Sequence, residues 1–164
     1  MPVMSTKRSG KSPEATGHPS QKSSTMTSAS YTATVPVRLA DYDVNGHVNH
    51  AVYATYFEIA RGKFYDDIVD VSLMAADTVL AHLELDYHRP VEETDSVSVT
   101  MVVDDVGRSS VTIGAEIHDG DAFAATAQAV QVTVDPETGS SRPLPDSWRD
   151  RLLEFGGEDS NSNE

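Results

Sequence analysis

The residues able to do chemistry crowd between Asp41 and Arg61. Asp41 and Asp43 stand two apart in a run of turn formers that continues through Asn45, Gly46 and His47, and Asn49 and His50 follow at once. A carboxylate can attack a carbonyl carbon or take a proton from water, and histidine titrates close to neutrality. Directly after this run, Val52, Tyr53, Tyr56, Phe57, Ala60 and Phe64 recur at three- and four-residue steps, the period of a helix buried along one stripe. Asn49 is of the type that caps such a helix. The first-turn amides of a helix have no partners within it and favour negative charge, so the start of this helix is a place to hold the oxygen of a reacting carbonyl. An attacking carboxylate beside an oxyanion site makes the two halves of an acyl-transfer centre, with no need of serine, cysteine or metal.

Each of these residues also has a plainer use. Aspartate is an ordinary turn former, and Asn49 an ordinary cap. Glu58 and Arg61, three apart on the helix, read as an ion pair. His47 and His50 with the two aspartates resemble a metal set in composition, but their spacing across a loop-to-helix junction is not that of metal ligands, and no metal is expected. His82 and His88 alternate onto the polar face of a strand, where solvent is their natural neighbour.

The elements that must position the centre follow from the same periodicities. Val35, Val37 and Leu39 alternate as the end of a strand that leads into the acidic turn. Beyond the helix, Val79 to Tyr87, Val97 to Val103, Val111 to Ile117 and Phe123 to Val134 each alternate apolar and polar residues, separated by Pro90, Gly107 and Asp119-Gly-Asp121. Short connections between these four strands predict an antiparallel meander. The alanines of the last strand predict a close approach by another layer. A short helix is expected over Asp146 to Phe155. One long helix and an antiparallel sheet bury each other's apolar faces in an α+β arrangement, a five-stranded sheet wrapped around the helix. Unpaired edges of such length predict association of two copies edge to edge.

Composition bounds the rest. The 164 residues suffice for one domain with a substantial core. Residues 1–29, rich in Ser, Thr, Lys, Pro and Gly, read as a disordered tail, 30–155 as the domain, and 156–164 as a disordered acidic tail. No cysteine is present, which excludes disulfides, thiolate nucleophiles and sulfur-built zinc sites. Neither a membrane-spanning run nor a secretion signal is evident, so a cytoplasmic protein is expected. The net charge is −14, and because the first 27 residues carry +3, the remainder carries −17. Such a surface repels phosphate backbones and argues against nucleic-acid partners. Lys63 is the only lysine after Lys22, and this acidic, lysine-poor composition resembles that of proteins from salt-loving organisms, which predicts stability that rises with salt.

The stretch from Arg38 to Arg61 resembles the opening motif of the 4-hydroxybenzoyl-CoA thioesterase family of hotdog-fold acyl-CoA thioesterases. Leu85 to Val91, Asp95 and Gly107 to Ser110 fit the family's later strands, so the resemblance extends over residues 31–135. It implies the hotdog fold, an acyl-CoA substrate whose coenzyme A is the only cofactor involved, and a homodimer or homotetramer. By the same resemblance Asp43 is the catalytic carboxylate, as nucleophile or as base for water, and Asp41 a structural companion. Asn49, His50 and Ala51 form the oxyanion site, with Tyr53 lining the acyl pocket. Glu58 is a secondary acid, as in another branch of these enzymes, and Arg89 and Arg108 meet the phosphates of coenzyme A. Two other readings stay open: a hydratase or dehydratase on the same fold using His50 with Glu58, and a non-catalytic acyl-CoA binding module.

Overall fold

The computed structural model describes residues 29–163, so the expected N-terminal tail, save its last residue, lies outside the described residues. Five strands, β1 (Tyr31–Pro36), β2 (Thr78–Tyr87), β3 (Ser96–Val106), β4 (Ser110–Asp119) and β5 (Ala122–Thr133), form one antiparallel sheet in the order β1-β3-β4-β5-β2. The long helix α1 (Val52–Phe64) runs on through a wider π turn over Tyr65–Val69 to Asp70, which ends it in the left-handed conformation. A second helix, α2 (Asp146–Phe155), has the expected bounds. This is the α+β arrangement predicted, and its core is one cluster. The α1 stripe of Tyr53, Tyr56, Phe57, Ala60 and Phe64 meets the inward residues of β1, β3, β4 and β5, Val35, Val97, Val99, Met101, Ile113 and Ala125 among them. On β3 as far as its bulge after Val103, and on β4 as far as Ile117, every second residue is buried, because one face of the sheet meets the helix and the other is polar. Gly120, at φ +57°, makes the two-residue turn between β4 and β5, which a residue with a Cβ adopts only under strain.

Three expectations are corrected. The four later strands are not a meander: β3, β4 and β5 are consecutive neighbours, but β2 pairs with β5 at the far edge of the sheet. The link from His88 to Asp95 is a crossing rather than a hairpin turn, and it is held by the fully buried Val91. Second, β1 stops at Pro36. Leu39 is 90% exposed, because the chain turns into a 3-10 segment, Leu39–Asp41, whose geometry is fixed by the Arg38 amide donating to the Asp41 carboxylate at 2.8 Å. Third, residues 156–163 are not a disordered tail. The Val106 amide donates to the Glu158 carbonyl at 2.7 Å, Asp159 bridges Val106 and forms an ion pair with Arg149, and the Ser160 hydroxyl reaches Asp105. Among the described residues no helix is long and apolar enough to cross a membrane.

Candidate active site

The acidic turn is a closed loop. Tyr42 and Val48 pair as an isolated antiparallel bridge, and between them Asp43 donates its amide to the His47 carbonyl at 2.8 Å while its own carbonyl accepts from Gly46 at 3.1 Å. Gly46 takes φ +77° to complete the turn. Two anchors hold the loop against the β2–β3 crossing. Val48 donates to the Val91 carbonyl at 2.9 Å, and the Tyr42 hydroxyl meets the backbone of Thr94 at 3.1 Å. Asp43 thus points from a rigid platform. Its Oδ1 accepts the amides of Asn45 and His47 at 2.8 and 3.2 Å, and its Oδ2 has no hydrogen-bond partner among the described residues.

Asp41 has a different fate. It is 2% exposed and accepts from the Arg38 amide, the Arg38 guanidinium and the Tyr56 hydroxyl, at 2.8, 2.9 and 3.0 Å. Burial alone would raise its pKa. The Arg38 backbone and side-chain hydrogen bonds, with that from Tyr56, more than offset it and hold the carboxyl below the usual range. Its carbonyl also takes the Asn49 amide at 2.8 Å, so Asp41 is the strut between the end of β1 and the start of the helix.

That last bond changes the expected oxyanion site. The amide of Asn49 is occupied by Asp41, and the amide of Ala51 donates to the Asn49 side chain at 3.0 Å. Asn49 does not take the cap position of α1, which is Ala51; its carbonyl and side chain instead hold the turn that leads into the helix at Val52. Of the three expected donors, only the His50 amide is without a partner among the described residues. The His50 carbonyl accepts from the Tyr87 hydroxyl at 2.7 Å, which ties the helix start to the end of β2. Tyr53, buried beneath, receives the Val91 amide on its hydroxyl at 3.1 Å and packs edge-on against Tyr87. Its phenol pKa is raised by that burial.

Asp43, His47, His50, Tyr53, Tyr87 and Arg89 line one cleft of about 320 Å³, with His88 and Pro90 at its wall. Of the sequence candidates, the structure brings Asp43, His50, Tyr53 and Arg89 together. Asn49 and Ala51 do not enter its lining. Arg108 is not part of it. It sits in the β3–β4 turn, beyond the Val106–Val111 pair, whereas the cleft lies at the other end of the sheet, where β5 begins and β2 ends. Glu58 is also elsewhere, exposed in a second cavity along α1, so within one chain it does not meet His50 and the hydratase pair is not assembled. Nor does Glu58 pair with Arg61. Arg61 is 4% exposed and turned inward to Gln131, although its sequence position placed it off the buried stripe. No cluster of three or more metal-ligating side chains occurs among the described residues.

Sequence reasoning missed Tyr87, His47 and His88 as cleft residues. Tyr87 looked like one more apolar member of an alternating strand, and its bond to a helix 37 positions earlier in the chain has no local signature. His88 is exposed, as its place on the polar strand face predicts, and it also stacks on Phe123 at 4.6 Å between ring centres.

Comparison with known proteins adds to this geometry. A model of the thioesterase-like superfamily matches residues 37–152. A thioesterase from Thermus thermophilus, whose structure was solved in complex with coenzyme A and Zn, is 34% identical, with a TM-score of 0.67 over 74% of this chain and 95% of that one. A predicted thioesterase from Bacillus stearothermophilus is 27% identical, with a TM-score of 0.72 over 79% of this chain and 98% of that one. The uncharacterized protein YsmA of Bacillus subtilis is 28% identical over 134 residues, 77% of this chain and 88% of its own length.

Proposed function

Because the chain belongs to the thioesterase-like superfamily and is accordingly a thioester hydrolase, we propose that it cleaves acyl-CoA thioesters, with Asp43 as the reacting carboxylate and the His50 amide as oxyanion donor. The observation that carries this reading is that Asp43 and His50 line the same cleft, where among the described residues one Asp43 carboxylate oxygen and the His50 amide have no hydrogen-bond partner. The thioester carbonyl oxygen docks on the His50 N–H. The free Asp43 oxygen then either attacks the carbonyl carbon, giving a mixed anhydride that water opens, or takes a proton from a water that attacks in its place. In both routes the C–S bond breaks and the thiolate departs without an acid, because a thiol is far more acidic than an alcohol. Tyr87 positions the donor by holding the His50 carbonyl. Coenzyme A as the carrier is supported by the coenzyme A complex of the Thermus thermophilus thioesterase, and Arg89 at the cleft is suited to its phosphates.

The functional unit in this reading is a homodimer or a tetramer built from it. Among the described residues strand β2 has no partner on its outer side, and Val79, Leu80, Leu83 and Tyr87 are exposed along it, an edge that a second copy would pair with. The test is release of free thiol from a panel of acyl-CoAs by wild type and by Asp43→Asn, which keeps the shape and removes the charge. A fall in kcat of about 100-fold or more on every substrate is expected. Near-normal turnover by the variant removes Asp43 from the mechanism, and absence of turnover by wild type on the whole panel favours the binding-module reading.

A further inference from the structure

Arg61 is an anomaly that hydrolysis at Asp43 does not use. Its side chain is buried to 96% on the inner side of α1, with the guanidinium carbon 5.2 Å from the centre of the Phe57 ring and Nη1 donating to Gln131, which in turn donates to Thr78. No carboxylate lies within ion-pair distance of it among the described residues, and its Nε is buried with no hydrogen-bond partner. A guanidinium keeps its proton even where burial disfavours the charge, so an unpaired one is costly unless something supplies the missing acceptor. The same side chain lines a cavity of about 550 Å³ between α1 and β2, where Ile59, Leu73, Leu80 and Leu83 supply apolar wall and Thr55, Glu58, Thr78 and Gln131 the polar part. A partly apolar channel ending on a cation whose Nη2 makes no hydrogen bond among the described residues suits an acyl chain that carries its own anion.

Resting on the thioesterase reading above, we propose that the preferred substrates are ω-carboxyacyl-CoAs, whose distal carboxylate is taken up by Arg61. The two cavities follow one another along α1: His50 and Tyr53 line the first, Ala54 and Thr55 begin the second, and on the facing strand Tyr87 and Leu83 do the same. The Arg61 head lies at the level of Phe57, seven residues beyond His50, which on a helix is roughly 10 Å along the axis. An extended chain covers that span in about eight bonds, at about 1.2 Å per bond. A mono-thioester of octanedioate therefore reaches from the His50 amide to Arg61, while a short acyl group leaves the cation unpaired. Glu58 stands exposed in the same cavity and repels the incoming carboxylate, but solvent screens its charge where Arg61 is enclosed.

The experiment compares octanoyl-CoA with the mono-CoA thioester of octanedioate at constant ionic strength, by thiol release, and compares octanoate with octanedioate by their shift of the melting temperature. For wild type, kcat/KM at least roughly tenfold higher for the carboxylated thioester is expected, with a melting shift from octanedioate and none from octanoate. In Arg61→Gln both preferences fall to parity. Gln131→Leu, which releases the guanidinium from its anchor, weakens them if the first variant does not fold. Glu58→Gln enlarges the octanedioate shift. Equal or better turnover of octanoyl-CoA by wild type overturns the proposal and leaves the thioesterase reading intact. If no thioester is turned over, that reading fails, and the melting shifts alone decide whether the carboxylate site exists. No selective shift, together with loss of self-association in Glu58→Gln, assigns the missing carboxylate to a second copy of the chain and overturns the proposal as well.

Discussion

Replacing Asp41 by asparagine removes one charge and one acceptor from the strut that sets the helix start against β1. In the wild type the carboxylate takes the Arg38 amide, the Arg38 guanidinium and the Tyr56 hydroxyl, and Asp41 itself is 2% exposed. The Arg38 side chain is 65% exposed, so its share of the ion pair is screened and contributes about 0–1 kcal/mol. The other two bonds go to an enclosed carboxylate, and such charge-assisted bonds contribute about 1.5–3 kcal/mol each. Both are accepted by Oδ2, so an asparagine oxygen there keeps them only as weaker, uncharged bonds, and its NH2 is turned toward the Arg38 guanidinium that faced Oδ1. A loss of about 2–3 kcal/mol at neutral pH follows, or roughly 10 °C in Tm for a domain of this size. The pH dependence separates this cause from a packing defect. The folded-state pKa of Asp41 lies below its unfolded value, so its contribution is complete above about pH 5 and is lost as the pH falls through the folded value. Urea unfolding of both proteins between about pH 7 and pH 2.5 should show the gap closing on acidification. A gap that stays constant over that range, or a variant within about 0.5 kcal/mol of wild type at pH 7, refutes the assignment.

Other outcomes test the site and the surface. His50 precedes α1 and its amide makes no helical hydrogen bond, so His50→Pro deletes that amide without removing a bond from α1, and kcat should fall by about 100- to 1,000-fold. His50→Ala keeps the amide and should retain much of the activity; equal losses in the two variants would transfer the role to the imidazole. With −17 carried by the residues after the first 27, unfolding free energy should rise along a salt series, and a flat response would remove the halophilic reading.

The chain's local patterns were sufficient for everything that depends on neighbours within one turn or one pleat. The stripe from Tyr53 to Phe64, the alternation of β3 and β4, the Gly120 turn and the bounds of α2 all depend on short-range pattern, where backbone geometry alone decides which side chains share a face. The same is true of Asp43, whose loop closes on itself. What the sequence did not contain was the identity of distant partners. Two strands joined by eight residues look like a hairpin, and only packing under Val91 sends β2 across to β5. Leu39 fits a strand pattern, yet a buried carboxylate two residues later pulls the backbone out of the sheet. The oxyanion site narrowed from three amides to one because Asp41 and the Asn49 side chain, each free on paper, consume the other two. Arg61 was drawn inward, away from Glu58, by Gln131 some 70 positions later. In each case the deciding contact spans the fold, and the hydrogen-bonding capacity of a polar group is allotted only when the tertiary structure shows which of its possible partners has arrived.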